Sequence, residues 1–270
     1  IERIMFLKKL VDKNIFDRNG YVVLDTELIH NPLFNDLINA FEDAVNLELK
    51  KSSIKKLGGY IMGNFGINQG PLGLKLYSLI FEEEFVNYFE KITSKKLNSF
   101  DLNYGGNLVL PHKGQQHFHT DGSFEDEMYL ISIATEDITL MNGPTEICLG
   151  SNNKEMSLEE FFFAKKQKVK LTMKKGQILI RKHNLWHRGT KNYSDKARLL
   201  LSFVMMPKSR KVKIEKISSK FEILPNFFNS NLKGRFHEII YVKFGFLIIF
   251  LKLISAILKN LFTKQNKKNI

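Results

Sequence analysis

The chain has 270 residues, 43% hydrophobic and 26% charged, which is enough apolar material for a sizeable core and excludes a largely disordered chain. Its single cysteine, Cys148, excludes an internal disulfide framework and fits a small buried hydrophobe. The net charge of +13 is uneven: residues 207–270 hold 14 Lys and Arg against three acids, so the body is nearly neutral and a basic nucleic-acid groove across it is disfavoured.

The opening IERIMFLKKLVDK is apolar at roughly helical spacing, but it carries Glu2 and Arg3, lacks a small-residue cleavage site and does not read as a secretory signal. GYVVLD (20–25) follows an Asn-Gly turn signal and reads as a strand. Over 33–51, Leu33, Leu37, Phe41, Val45 and Leu49 recur every four residues, which predicts an amphipathic helix. A second helical region is expected over 72–95, with Tyr77, Ile80, Phe81, Phe85 and Phe89 as its buried stripe. The glycine-rich stretch between them reads as a loop or a broken strand.

From about residue 102 the texture becomes one of short strands. These are 107–110, 116–121, 128–136, 138–141, 145–149, 169–173, 176–181 and 197–206, with a charged helical insert at 157–167. The pattern predicts a mainly β fold, a jelly-roll or cupin-like barrel with the N-terminal helices packed outside. Residues 1–206 are expected to form one such domain and 207–270 a basic extension ending in an apolar, amphipathic helix.

Within the barrel region, HFHTDG (117–122) offers His117, His119 and Asp121 at alternate positions, which share one face of a strand. Strand geometry does not choose between the two histidines. Two His and one carboxylate on one face leave coordination positions open, as in non-haem Fe(II) oxygenases. For the third ligand, RKHNLWHRGT (181–190) supplies His183 and His187. Their spacing of four suits a helical zinc site, but no glutamate lies between them and the context is extended, so His187 is the better ligand and His183 a supporting residue. Arg198 opens an apolar strand eleven residues later. If it points inward it needs an anion, and its planar fork matches a carboxylate.

Taken in order, H-x-D at 119–121, NGPTEICLGSN at 142–152, GQILIRKHNLWHRGT at 176–190 and Arg198 resemble the phytanoyl-CoA dioxygenase family over roughly residues 20–206. The resemblance implies a double-stranded β-helix with Fe(II) held by His119, Asp121 and His187. It also implies 2-oxoglutarate anchored through its far carboxylate by Arg198, O2 as the second cosubstrate, and release of succinate and CO2. Asp121, standing where related halogenases carry a small residue, points to hydroxylation. The family's Pro-Gly-Ser-His stretch is here Leu149-Gly150-Ser151-Asn152. Asn64, Gln69, Gln115, Gln116 and His117 are further polar groups for a pocket. The function expected is hydroxylation of a small or lipid-like molecule. The rival from another class is a catalytically silent jelly-roll binding protein.

In the tail, FGFLIIFLKLISAIL (244–258) is fifteen residues long with Lys252 near its middle, too short to span a bilayer. With Lys259, Lys264, Lys267 and Lys268 following, residues 244–268 suit an anionic membrane interface. A cytoplasmic protein, peripheral at the inner face of a membrane, is the expectation. A helix folded back on the barrel or into a dimer contact is the alternative.

Overall fold

The computed structural model describes residues 7, 12–51, 63–209, 218–225 and 231–266, with the side chains of 235 and 256–266 outside the description. The N-terminal residues weighed as a signal, apart from Leu7, Asp12 and Lys13, and the lysines from 259 onward therefore lie outside the described side chains.

Among the described residues, ten strands form two antiparallel sheets. The larger takes β1 (Tyr21–Leu24), β7 (Ile178–Lys182), β4 (Tyr129–Ala134), β9 (Arg198–Pro207), β3 (Phe100–Val109), β2 (Asn64–Asn68) and β10 (Glu222–Pro225), in that spatial order. The smaller takes β6 (Lys168–Leu171), β5 (Thr145–Cys148) and β8 (His187–Gly189). The mainly β, jelly-roll reading is borne out. The chain after residue 206 returns to this core, because β10 pairs antiparallel with β2.

Period-two alternation on the central strands assigns each side of the large sheet a task. On β9, Leu199, Leu201, Phe203 and Met205 join the main apolar core with Phe34, Ile38 and Phe41 of α2 (Pro32–Leu49), Leu76 and Ile80 of α3 (Pro71–Ile80), and Phe85, Phe89 and Ile92 of α4 (Glu83–Thr93). The alternate residues Arg198, Leu200, Ser202 and Val204 line a cavity on the opposite side. The helices thus cover one face and leave the other to the site.

Local chemistry explains the helix boundaries. At the start of α2, Asn31 accepts from the backbone N–H groups of Leu33 and Phe34 and Pro32 occupies the first turn. The helical region expected over 72–95 is two helices: Phe81 leaves helical geometry at φ −87°, ψ 47°, and α4 starts with Glu83 and Glu84 in its first turn. Carboxylates favour a helix N-terminus, so this acidic run marks a start. The Phe81 ring at the break stacks on Tyr77 at 4.4 Å and meets Phe203 edge-on at 5.1 Å. α1 (Lys13–Asn19) and α5 (Leu158–Phe163) flank the barrel, the latter opened by a capping box between Ser157 and Glu160.

Two expected strands are not strands. Residues 138–141 make one bridge, Ile138 to Met173, and residues 116–121 make one, His119 to His187. The C-terminal helix α6 (Leu232–Asn266) bends at Phe244, where φ is −128°.

Candidate metal centre

The segment carrying His119 and Asp121 is held by backbone hydrogen bonds although it is not a regular strand. His119 and His187 exchange two, at 2.9 and 3.0 Å; Asp121 N–H donates to the His183 carbonyl at 3.0 Å and Gln116 N–H to that of Gly189 at 3.0 Å. These bonds set His119, Asp121 and His187 side by side, with one candidate ligand atom from each within 4.8 Å of the others. His119 Nε2 is 3.8 Å from one carboxylate oxygen of Asp121, and His187 Nε2 is 3.5 Å from the other.

Both imidazoles are fixed in the tautomer a metal needs. His119 Nδ1–H donates to the His117 carbonyl and His187 Nδ1–H to the Leu185 carbonyl, each at 2.9 Å, which leaves Nε2 as the lone-pair atom. Burial pushes both pKa values down, for His187 well below the ordinary value with Arg181 adding to the effect, so both rings are neutral at neutral pH. Burial would raise Asp121, but Arg181 and the two imidazoles hold its carboxyl well below the usual carboxylate range. The donor set of two neutral imidazoles and one carboxylate is that of a non-haem iron site, and it fits Fe(II).

Arg181 is the residue the sequence reading missed. It is 7% exposed and its Nη2 donates to Asp121 Oδ2 at 2.6 Å. It lies on the cavity side of β7 beside Leu179, while Ile178 and Ile180 join the helix-side core. A charge at the inward parity of an otherwise apolar strand was the available signal.

The cavity is about 250 Å³, and His119, Asp121, Arg181 and His187 share its walls with Thr145, Arg198, Leu200 and Ser202. Arg198 is 2% exposed. Its Nη2 donates to the Gly143 carbonyl at 2.8 Å, while Nε and Nη1 have no partner among the described residues. Burial lowers its pKa to about 10 against the pull of Glu136, so it is cationic at neutral pH. Donor nitrogens without a partner on a buried cation are costly, and a ligand carboxylate would take one of them together with the second Nη2 N–H, the adjacent pair that forms the guanidinium fork. The acceptor is presented by the Asn-Gly-Pro turn. Gly143 has φ +82°, and a Cβ there would lie 2.8 Å from the Thr190 carbonyl, so glycine is required.

The other polar residues singled out divide clearly. Gln116 lines the cavity and its Oε1 accepts from Gly189 N–H at 2.7 Å. Asn64 Nδ2 donates to the Gly114 carbonyl, Gln69 Nε2 to the Ser202 carbonyl, and Gln115 Oε1 accepts from Lys191 N–H, all structural bonds. His183 is away from the cluster: its Nε2 meets the Ser123 carbonyl at 2.7 Å and its Nδ1 the Met128 carbonyl at 3.0 Å. His117 turns to Glu238 on α6. In the departure Leu149–Asn152, Ser151 Oγ accepts from Trp186 N–H at 2.9 Å and Asn152 Nδ2 donates to the Asp17 carbonyl at 2.8 Å, tying the loop to α1.

A second cavity, about 430 Å³, reaches His119 and Asp121 together with His117, Phe118, Thr120, Leu158 and Trp186. Its walls are mainly apolar.

Comparison with known proteins agrees with this geometry. Solved structures sharing the fold include AviO1 from Streptomyces viridochromogenes Tue57, at 15% identity and a TM-score of 0.54 over 74% of this chain and 95% of that one. The epimerase SnoN from nogalamycin biosynthesis, solved with Fe3+, alpha ketoglutarate and nogalamycin RO, has 14% identity and a TM-score of 0.52 over 72% and 82%. EctD from S. alaskensis with bound Fe has 15% identity and a TM-score of 0.50 over 79% and 88%. No curated protein matches the chain in sequence. The model of the phytanoyl-CoA dioxygenase family matches residues 16–200, more than half of the chain. The chain therefore belongs to the phytanoyl-CoA dioxygenase family, whose oxygenases depend on Fe(II), 2-oxoglutarate and O2.

Proposed function

We propose that the protein is a hydroxylase of a small, largely apolar molecule, with His119, Asp121 and His187 as the iron ligands and Arg198 as the anchor for 2-oxoglutarate. The observation that carries the reading is the shared cavity: three candidate ligands and a buried arginine with two donor nitrogens unpaired among the described residues line the same space. Iron with 2-oxoglutarate and O2 supplies an oxidant for C–H bonds, with succinate and CO2 released. The chain's own residues do the rest. His119 and His187 present Nε2, Arg181 keeps Asp121 ionised, and Arg198 takes the far carboxylate of the cosubstrate. Leu130, Leu179 and Leu200 form apolar wall around it.

The substrate is proposed to enter the second cavity, where Phe118, Leu158 and Trp186 suit an apolar body and His117 and Thr120 give polar points. That cavity meets the same two candidate ligands, His119 and Asp121, that the first one does, so substrate and cosubstrate would adjoin one centre. SnoN is an epimerase, which makes the product the feature to measure. A screen of apolar small molecules and lipids for substrate-stimulated succinate release, followed by product mass, tests the reading. Gain of one oxygen atom supports hydroxylation; an isomeric or dehydrogenated product contradicts it. Iron and 2-oxoglutarate binding with no succinate formed under any condition supports the silent binding protein.

We also propose that residues 244–268 contact an anionic membrane, at the inner face if the protein is cytoplasmic. Among the described residues no helix is long and apolar enough to cross a membrane. α6 instead exposes Phe246, Leu247, Phe250 and Leu251, and Phe162 of α5 lies 5.7 Å from Phe246, in a tail of strongly basic sequence. Sedimentation with phosphatidylserine vesicles, abolished when residues 244–270 are removed, is the expected result. Full-length chain that stays in the supernatant contradicts it.

A further inference from the structure

Glu238 lies on α6, far along the chain from the H-x-D segment, and is 3% exposed. Both of its carboxylate oxygens are spent on one residue. Oε1 accepts from the backbone N–H of His117 at 3.0 Å, and Oε2 accepts from the His117 ring Nδ1–H. The carbonyl of the same His117 accepts the Nδ1–H of His119 at 2.9 Å. Two steps of hydrogen bonding therefore join the C-terminal helix to a metal-ligand candidate.

The arrangement constrains more than a single contact would. A buried carboxylate needs partners, and taking both from one residue fixes the backbone and the ring of His117 together. With both ends of residue 117 held, the aim of its carbonyl is set, and that carbonyl selects the tautomer and orientation of His119. One turn along α6, the Tyr241 ring lies 5.6 Å from the His117 ring. Farther along, Lys252 pairs with Glu159 at 3.1 Å and Ile249 is buried at 2% exposure. The Lys252–Glu159 pair ties the helix to α5 and not to His117, with Lys252 also 5.9 Å from the Tyr241 ring, so it serves as an internal control for helix docking.

We propose that Glu238 is a positioning residue of the metal centre, acting from the C-terminal helix through His117 to aim His119. The inference rests on the reading of His119 as an iron ligand. It makes α6 part of the working site.

The test is anaerobic titration of the full-length chain with Fe(II) in the presence of 2-oxoglutarate, followed by visible absorption, for wild type, Glu238→Ala, Glu238→Gln and Lys252→Ala. Outer partners of ligand histidines change metal affinity about 10–100-fold. Glu238 acts one bond farther out, so Glu238→Ala should weaken Fe(II) binding about tenfold and shift or broaden the band. Lys252→Ala should match wild type. Glu238→Gln keeps an acceptor for the His117 N–H, so it should restore most of the affinity and fall roughly threefold below wild type.

A folded Glu238→Ala protein with wild-type affinity and band overturns the proposal. So does Lys252→Ala weakening Fe(II) as much as Glu238→Ala, because the effect would then belong to helix docking in general. If circular dichroism shows that Glu238→Ala does not fold, Glu238→Gln decides, and wild-type affinity in that variant overturns it. Failure of the underlying reading looks different: wild type itself then shows no Fe(II)-dependent band, and both ideas fall together.

Discussion

Replacing Arg198 with Met separates two roles that a buried arginine can have. Among the described residues, the guanidinium makes one hydrogen bond, to the Gly143 carbonyl, and leaves Nε and Nη1 unpaired. If its role is to hold a carboxylate, each of two charge-assisted bonds contributes about 1.5–3 kcal/mol, or roughly 3–6 kcal/mol together. That corresponds to a loss of 2-oxoglutarate affinity of about 10²–10⁴-fold. Stability without ligand should respond differently. Removing an incompletely paired buried charge is neutral or stabilising by about 1–4 kcal/mol, while stranding the Gly143 carbonyl costs about 1–3 kcal/mol. The two nearly cancel, so the ligand-free protein should stay within about 2 kcal/mol of wild type. Urea unfolding gives the stability, and 2-oxoglutarate titration of the anaerobic Fe(II) protein gives the affinity. A variant destabilised by more than about 3 kcal/mol that still binds 2-oxoglutarate normally would refute the reasoning, because Arg198 would then be part of a structural pair.

Three further outcomes follow from the same geometry. Arg181→Met takes the ion-pair partner from Asp121, whose side chain is 28% exposed, and should destabilise the iron-free protein by about 1–3 kcal/mol; Fe(II) gives that carboxylate a new partner, so the iron-induced rise in melting temperature should exceed the wild-type rise. Gly143→Ala forces a Cβ to 2.8 Å from the Thr190 carbonyl at φ +82°; a loss of about 1–3 kcal/mol in urea unfolding is expected, with weaker 2-oxoglutarate binding because the same turn faces Arg198. Burial raises the Asp17 carboxyl, but bonds from Lys13 and Lys182 outweigh it and depress the pKa. Its contribution is present above the ordinary carboxylate pKa and lost as pH falls through the depressed value. Because its side chain is 42% exposed, the contribution should be under ~1 kcal/mol, read as a flatter acid limb in Asp17→Asn unfolding below about pH 4.

How far the sequence reached can be seen at individual residues. The α2 helix was legible because Leu33, Leu37, Phe41, Val45 and Leu49 carry a plain four-residue rhythm, whose middle members Leu37, Phe41 and Val45 are buried while Leu33 at its start is 64% exposed. The same rhythm ran across Phe81 and hid a break, which the acidic start of the next helix marks. His119, Asp121, His187 and Arg198 were singled out because four motifs stand in family order, and all four line one cavity. Periodicity alone could not have separated His117 from His119: both sit at the same parity, and what separates them is Glu238, a tertiary partner 121 residues away. The pairing of β10 with β2 was equally invisible, since a four-residue strand in a basic tail carries little pattern. Arg181 was in view as the end of an apolar strand, but its meaning depends on Asp121 standing opposite it in space.

The most direct test of the account is anaerobic addition of Fe(II) and 2-oxoglutarate to the purified chain and to His187→Ala. The account requires a weak visible charge-transfer band at one iron per chain in wild type, absent in His187→Ala although that protein remains folded. No band in wild type, or an undiminished band in His187→Ala, would contradict the assignment of the centre.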